Sequence, residues 1–377
     1  MARYDLAVVG SGVIGLSAAW RLAARGAAVA LVDPHPGRGA SYAAAGMLAP
    51  VTEASYGEEE LVALSLRSAA AWPALADELE EASDLPVGLV RSGTLLVGSD
   101  ASDRAYLTQL LEFHQRLGLD SSWCLPSECR ELEPLLAPAV AGGLYAAGDQ
   151  QIDNRRLLGA LAVAARRAGV EFVAAAASAL LEADGAVCGV CTTAGDLSAE
   201  QVLLANGTAT PSLAGAFLPP ARPVKGQILR LRTPSGGPSL SRTLRAVVAG
   251  SSVYIVPRAD GRVVVGATVE EHGAAGTVTA GGVYELLRDA TRVLPALKEF
   301  ELLEAFAAAR PGSPDNAPIV GATPRRGLFV ATGHYRHGIL LTPVTLEVLE
   351  AVLRGEEAPE WAAPLSPGRF ATEPACR

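Results

Sequence analysis

Tyr4-Asp-Leu-Ala-Val-Val-Gly-Ser-Gly-Val-Ile-Gly15 is the stretch on which the fold turns. The apolar run Leu6 to Val9 has the character of a parallel strand buried on both faces. It stops at Gly10, and a helical pattern opens after Gly12. Gly10, Gly12 and Gly15 form Gly-x-Gly-x-x-Gly. The first glycine permits a tight turn, the second lets backbone approach a pyrophosphate, and the third lets the helix lie close to the strand. The helix N-terminus then turns its free amides and positive dipole end toward the phosphates. A second apolar run, Ala28 to Val32, ends in Asp33. An acid about 20 residues beyond the triplet is placed to bond a ribose hydroxyl, and it disfavours the 2′-phosphate of NADP. Strand, triplet, helix, strand and acid in this order predict a dinucleotide-binding βαβ unit. The motif by itself does not choose between FAD and NAD.

A chain of 377 residues, half of them hydrophobic, predicts about two domains with a large core. The net charge of −9 and the scattered basic residues argue against a nucleic-acid partner. No apolar stretch has the length of a membrane span, and the N-terminus enters the first strand without a secretory signal, so a cytoplasmic location without membrane association is expected. The five cysteines, Cys124, Cys129, Cys188, Cys191 and Cys376, read as reduced thiols. Cys188-Gly-Val-Cys191 has redox or zinc spacing, but it lies in a strand-like stretch with no second pair, and no metal site is expected.

Along the chain, Glu58–Glu81 reads as an amphipathic helix broken or restarted near Pro73. Val87–Val97 alternates like a strand, and Ala101–Leu117 and Pro126–Pro134 read as helices. Asp153 caps a helix reaching about Ala168, and Val170–Val173 and Gln201–Gly207 add strands to the first sheet. From Pro219 the chain is β-rich, with a hairpin turning at Asp260-Gly261. Leu328–Gly333 is a buried strand, Gly338–Leu353 a helix, and the proline-rich end beyond Gly355 a loosely ordered tail. The expected fold class is α/β: a doubly wound Rossmann-like domain with a second α+β domain on a mostly antiparallel sheet. Residues 1–85, 142–214 and 305–377 are assigned to the first, and 86–141 and 215–304 to the second.

Two segments carry chemistry. Ala309-Arg-Pro-Gly-Ser-Pro-Asp-Asn-Ala-Pro318 is dense in turn formers, and Arg310, directly before a proline, is expected to be extended. It is either a surface loop arginine or a fork for a substrate carboxylate. Gly333-His-Tyr-Arg-His-Gly-Ile-Leu-Leu341 follows a buried strand, where open α/β sheets bind ligands.

These segments, with Val9–Gly15, Ala43-Ala-Ala-Gly-Met-Leu48, Pro223-Val-Lys-Gly-Gln227, Tyr254-Ile-Val-Pro-Arg258, Val265–Thr268 and Arg310-Pro-Gly312, give the sequence a clear resemblance to the D-amino-acid oxidase and glycine oxidase family, and most of all to the bacterial glycine oxidases. The resemblance implies a flavoprotein oxidase acting on a small amino acid or amine with molecular oxygen. A hydride would pass from the substrate Cα to flavin N5, giving an oxo acid (glyoxylate from glycine), ammonia and hydrogen peroxide. D-amino-acid or sarcosine oxidation and an FAD dehydrogenase with another acceptor are the alternatives. A role in thiamine (thiazole) biosynthesis is implied as well, and homo-oligomer formation is left open. FAD would be held non-covalently, since no cysteine lies between Cys191 and Cys376 to tether it. The residues implied to hold it are Gly10, Gly12, Val13, Ile14, Gly15, Asp33, Pro34, Ser41, Ala44, Ala45, Gly46, Met47, Ser178, Asn206, Gly207, His334, Tyr335, Arg336, His337, Gly338, Ile339 and Leu340. Arg310 matches the family's carboxylate anchor, Tyr254 its hydrogen-bonding partner, Arg336 a second arginine, and Met47 the methionine beside the flavin. His337 and Ser252 depart from a commoner asparagine and histidine.

Overall fold

The structure, a computed structural model, describes residues 3–370 apart from 216, 238 and 272–275. The chain opens with β1 (Arg3–Val9), α1 (Val13–Ala23) and β2 (Val29–Val32), followed by α2 (Ala40–Ala43), β3 (Met47–Leu48) and α3 (Glu59–Ser83). Next come β4 (Thr94–Gly98), α4 (Ala101–Arg116), β5 (Ser122–Cys124), α5 (Pro126–Leu132), β6 (Gly142–Ala146) and β7 (Gln150–Gln151). The middle of the chain forms α6 (Asn154–Arg167), β8 (Glu171–Val173), β9 (Ala177–Ala183), β10 (Ala186–Thr192), β11 (Gly195–Leu204) and α7 (Thr210–Ala214). Then follow β12 (Arg222–Arg232), β13 (Thr243–Val248), β14 (Ser251–Pro257), β15 (Arg262–Gly266), α8 (Ala280–Val293), β16 (Glu301–Gly312), β17 (Ile319–Ala322), β18 (Leu328–Thr332) and α9 (Thr342–Leu353). Asp153 caps α6 as expected, accepting from the amides of Arg155 and Arg156.

The first sheet runs β17-β18-β11-β1-β2-β8, with β18, β11, β1, β2 and β8 parallel. Leu6, Val8 and Leu31 on one face pack with α1, α3, α6 and α9. Ala7, Val9 and Val32 on the other face pack against β9, β10 and α7. The second sheet runs β16-β12-β15-β14-β13-β4-β6-β5 and is antiparallel except between β13 and β4. Leu229, Ile255 and Val265 pack there against Leu286 and Ala290 of α8. The second sheet therefore includes residues 142–146 and all of 301–312. A two-stranded pair, β3 with β7, lies between the sheets.

Four local expectations are corrected. α3 runs unbroken through Pro73. A proline inside a helix costs about 3 kcal/mol, but Leu64, Trp72, Leu75 and Leu79 from both sides of it are buried in one core, which offsets that cost. The strand expected over 87–97 shrinks to β4, because Val90 bridges Gln151 instead. Arg310 lies on β16 and not in a loop; β16 is a sheet edge, where prolines are tolerated. The expected tail forms two 3-10 turns, 360–365 and 367–370, with Ala362 and Leu365 buried in the helical core. Its last residues, 371–377 with Cys376, lie outside the described residues. Cys188 and Cys191 are unpaired thiols in β10.

Candidate active site

The glycine triplet forms a close-packed cradle. Gly10 has φ +103°, and a Cβ there would meet the Ala205 carbonyl oxygen at 2.6 Å. A Cβ on Gly15 would lie 1.8 Å from the Gly10 carbonyl oxygen, so only glycine lets α1 begin this near β1. Gly12 precedes α1 without a side-chain cap, and the Val13 amide donates to Ser41 Oγ at 3.0 Å. That hydroxyl stands where the helix dipole favours anions. Asp33 accepts from the Ser11 amide and hydroxyl at 2.7 and 2.8 Å and from the His35 amide beyond Pro34 at 2.8 Å. Val13 and Ile14 are buried in the core. Asn206 and Gly207 follow β11 beside Gly10, and the Thr332 hydroxyl donates to the Gly207 carbonyl at 3.0 Å. Ala44, Ala45, Gly46 and Met47 lead into β3, with Gly46 at φ +75° against the Ile152 carbonyl. These residues fit a dinucleotide: a backbone turn that a side chain would fill, a helix start with no side-chain cap of its own and the Ser41 hydroxyl beside it, and an acid at the end of β2.

Ser178 lies on the β9–β10 hairpin. It donates to the Cys191 carbonyl at 3.3 Å. Cys191 is level with Asp196 at the start of β11, whereas Gly10 follows β1 at the far end, where Val9 is level with Leu204. The strand that precedes this hairpin ends at Val173, whose carbonyl accepts from the Asp33 amide at 3.1 Å.

Arg310 and Tyr254 both lie on the second sheet. Arg310 pairs with Val224 in register, and its guanidinium lies over Gly226, where a Cβ would come within 2.3 Å of Nη2. Its Nη1 donates to the Thr268 carbonyl at 3.2 Å and more weakly to that of Lys225 at 3.5 Å. Backbone carbonyls orient the fork without neutralising its charge. Tyr254 stands on β14 opposite Gly266, whose missing side chain gives the phenol ring its place. Burial pushes the Tyr254 phenol above its ordinary value, and the nearby Arg310 charge pulls the other way. Met47 and Tyr254 border one small apolar cluster built on Ala45, Ile228, Val256 and Val264.

The loop after β18 closes the site. Gly312, at the end of β16, bridges His334, which brings this loop to the strand carrying Arg310. His334 Nε2 lies 2.9 Å from Thr345 Oγ1, and burial lowers its imidazole to about 3. Tyr335 has φ +48° and its ring lies between the guanidiniums of Arg222 and Arg336. Arg336 is not a free charge: it forms an ion pair with Glu58 and donates to Ser55 Oγ at 3.0 Å. Gly338 begins the turn into α9, and Ile339 and Leu340 pack in the helical core. The Leu340 carbonyl accepts from Ser68 Oγ at 2.7 Å and Trp72 Nε1 at 3.0 Å. Of the two departures from the family pattern, His337 is buried and Ser252 is exposed on β14.

Sequence reasoning missed the residues that fasten the Tyr42–Met47 segment. Arg258 donates to the Ala45 carbonyl and, at 2.6 Å, to Gln151 Oε1. Arg230 donates to the Tyr42 carbonyl at 3.1 Å. Burial lowers both guanidiniums to about 10, and neighbouring arginines lower Arg230 further. The only signals were Arg230 within the apolar stretch of β12 and Arg258 directly after that of β14. Behind Arg310, Glu270 is held down to about 2: burial raises it, but bonds from Lys225, Thr268 and Gln227 outweigh that. A depressed carboxylate stabilises the fold above its unfolded value and loses that contribution as pH falls through the folded one. Thermal stability should therefore decline between pH 4.5 and about 2 with a component from this group, and Glu270→Gln should flatten that part of a melting-temperature profile.

A family model described as FAD dependent oxidoreductase matches residues 5–350. The chain belongs to this family. Glycine oxidase of Geobacillus kaustophilus is 38% identical over 363 residues, covering 94% of each chain. The crystal structure of glycine oxidase from that species matches this FAD-dependent oxidoreductase with a TM-score of 0.90 at 35% identity, covering 99% of this chain and 100% of the other. The bifunctional protein ThiO/ThiG of Trichormus variabilis is 34% identical over 92% of this chain, which spans 52% of that protein's length. The iminodiacetate oxidase of Chelativorans sp. BNC1 matches with a TM-score of 0.83 at 28% identity, covering 96% of this chain and 98% of the other. The chain is a glycine oxidase-like flavoprotein oxidoreductase that uses FAD. No helix among the described residues is long and apolar enough to cross a membrane.

Proposed function

We propose that this oxidoreductase oxidises glycine and other small amines or D-amino acids, consuming oxygen and water and releasing the oxo acid, ammonia and hydrogen peroxide. The observation that carries this reading is the Arg310 guanidinium, which donates to backbone carbonyls, has no acidic partner among the described residues and is set beside the Tyr254 phenol. An arginine fork matches a carboxylate in shape and charge. When bound, FAD supplies the two-electron acceptor. The Gly10–Gly15 turn and the start of α1 would hold its pyrophosphate, Asp33 a ribose hydroxyl, and the Ala44–Met47 and His334–Leu340 segments its ring. Arg310 would receive the substrate carboxylate and Tyr254 would donate a hydrogen bond to it. The apolar cluster beside Met47 would keep water from the Cα. Fixing a reactant in this way is worth about 7–11 kcal/mol in the best intramolecular cases. That accounts for chemistry without a conspicuous acid–base pair in the sequence.

In this reading the two sheets are two domains, one for the cofactor and one for the substrate. Similarity to the ThiO/ThiG protein supports a place in thiamine biosynthesis. Peroxide production by the holoprotein across glycine, sarcosine, D-alanine, D-proline and bulkier D-amino acids tests the reaction. Substrate-dependent reduction of a dye with no peroxide in air would replace the oxidase with a dehydrogenase. FAD should stay in solution when the protein is precipitated with acid, because the sequence has no cysteine between Cys191 and Cys376. Flavin that sediments with the chain would contradict non-covalent binding.

A further inference from the structure

Glu53 is an acid felt at Tyr254 that pairs with no described lysine or arginine, and it has the opposite sign to Arg310. Its surroundings are accounted for element by element. Arg336 of the closing loop is paired with Glu58. Arg245 of β13 stands directly across from Tyr254; its Nε has no hydrogen-bond partner, and its charge is felt at the buried Asp149 and at His337. Asp149 accepts from Val51 N, Thr52 N and, at 2.6 Å, Thr52 Oγ1. Arg310 is held by carbonyls. No described residue donates a hydrogen bond to the Glu53 carboxylate. The nearest basic atom is His337 Nδ1, 3.7 Å from Glu53 Oε2, which is beyond hydrogen-bond length. His337 is buried and its Nδ1 has no hydrogen-bond partner. Burial, with Arg336 and Arg245, holds the imidazole well below its ordinary value, so it brings no charge to Glu53. Glu53 and His337 line one shallow cleft between the Pro50–Ser55 segment and the start of α3. The Glu53 charge is also felt at the Tyr254 phenol.

A carboxylate with side-chain exposure of 9% and no direct lysine or arginine partner is costly unless something positive meets it. A zwitterionic amino acid with its carboxylate on Arg310 presents such a group. We propose that Glu53 binds the substrate ammonium and takes its proton, with His337 Nδ1 as a neutral acceptor beside it. In that transfer one N–H bond breaks, an O–H bond forms on Glu53, and the electron pair stays on nitrogen. The Cα then carries a neutral amine whose lone pair can assist hydride loss. This inference rests on the substrate reading above and adds the amine end of the site.

The test compares the parent holoprotein with Glu53→Gln and Glu53→Asp. The glutamine variant should lose at least tenfold in kcat/KM for glycine and D-alanine. Binding of glycolate, a carboxylate without an amine, followed by flavin absorbance, should change less than about twofold, with FAD content unaltered. The acidic limb of the kcat/KM pH profile should move at least one unit toward alkaline pH, and the aspartate variant should recover part of the loss. Equal weakening of glycolate and amino acids, or kinetics within twofold of the parent, would overturn the assignment. A parent inactive on every amine would instead sink the substrate reading, so the two failures are distinguishable.

Discussion

Arg310→Ala should raise the KM for glycine and D-alanine at least tenfold while FAD stays bound. Hydrogen bonds to a charged group contribute roughly 1.5–3 kcal/mol each, and about 1.4 kcal/mol is a factor of ten. Losing even one bond of the fork reaches that factor. Arg310→Lys should recover only part, because an ammonium is a point charge that cannot make two parallel bonds. FAD retention is expected because Arg310 belongs to the second sheet and the glycine cradle to the first. The measurements are steady-state peroxide production and the flavin absorbance of each variant. Near-parent kinetics for the alanine variant would make Arg310 a structural strand residue and move the search for the anchor to Arg336.

The other large effect should come from Gly15→Val. A Cβ at this position falls 1.8 Å from the Gly10 carbonyl oxygen and 3.3 Å from Val8 Cγ1. Relief requires α1 to move off β1, and the amides at its start move with it. The variant should purify with less than a tenth of the parent's FAD and should not regain it on incubation with excess cofactor. Gly26→Ala is the control, since a Cβ there meets nothing within 4 Å, although φ +96° makes a mild loss of stability expected. Full FAD occupancy in Gly15→Val would remove the close-packing argument for the triplet.

The βαβ start was legible because every local signal agreed: apolar runs, glycine spacing and a terminal acid all follow short-range rules. Asp153 as a cap was legible for the same reason. Arg310 was placed in a loop because Pro311, Gly312 and Pro314 are turn formers in isolation. That β16 is an edge strand, able to carry them, depends on pairing with β12 some 85 residues earlier in sequence. Pro73 misled in the opposite way, since packing of Trp72 and its neighbours overrode a local penalty. Arg336 was found by resemblance, but its partner Glu58 lies 278 residues away and nothing local announces the pair. Ser178 was assigned by resemblance, with no local physical signal of its own.

The β3–β7 pair bears on attempts to exchange substrate preference between relatives. Met47 and Leu48 bond to Gln151 and Gln150, immediately after the Asp149 turn that leaves β6. Asp149 holds Val51 and Thr52, and Arg258, directly after β14, holds Ala45. The segment from Ala45 to Thr52 is thus fastened to the second sheet although it precedes that sheet in sequence. A chimera grafting only residues 86–141 and 215–304 would cut across these ties. The natural transplant unit includes Ala45–Thr52 and the Asp149–Gln151 turn as well, and graft junctions belong outside both.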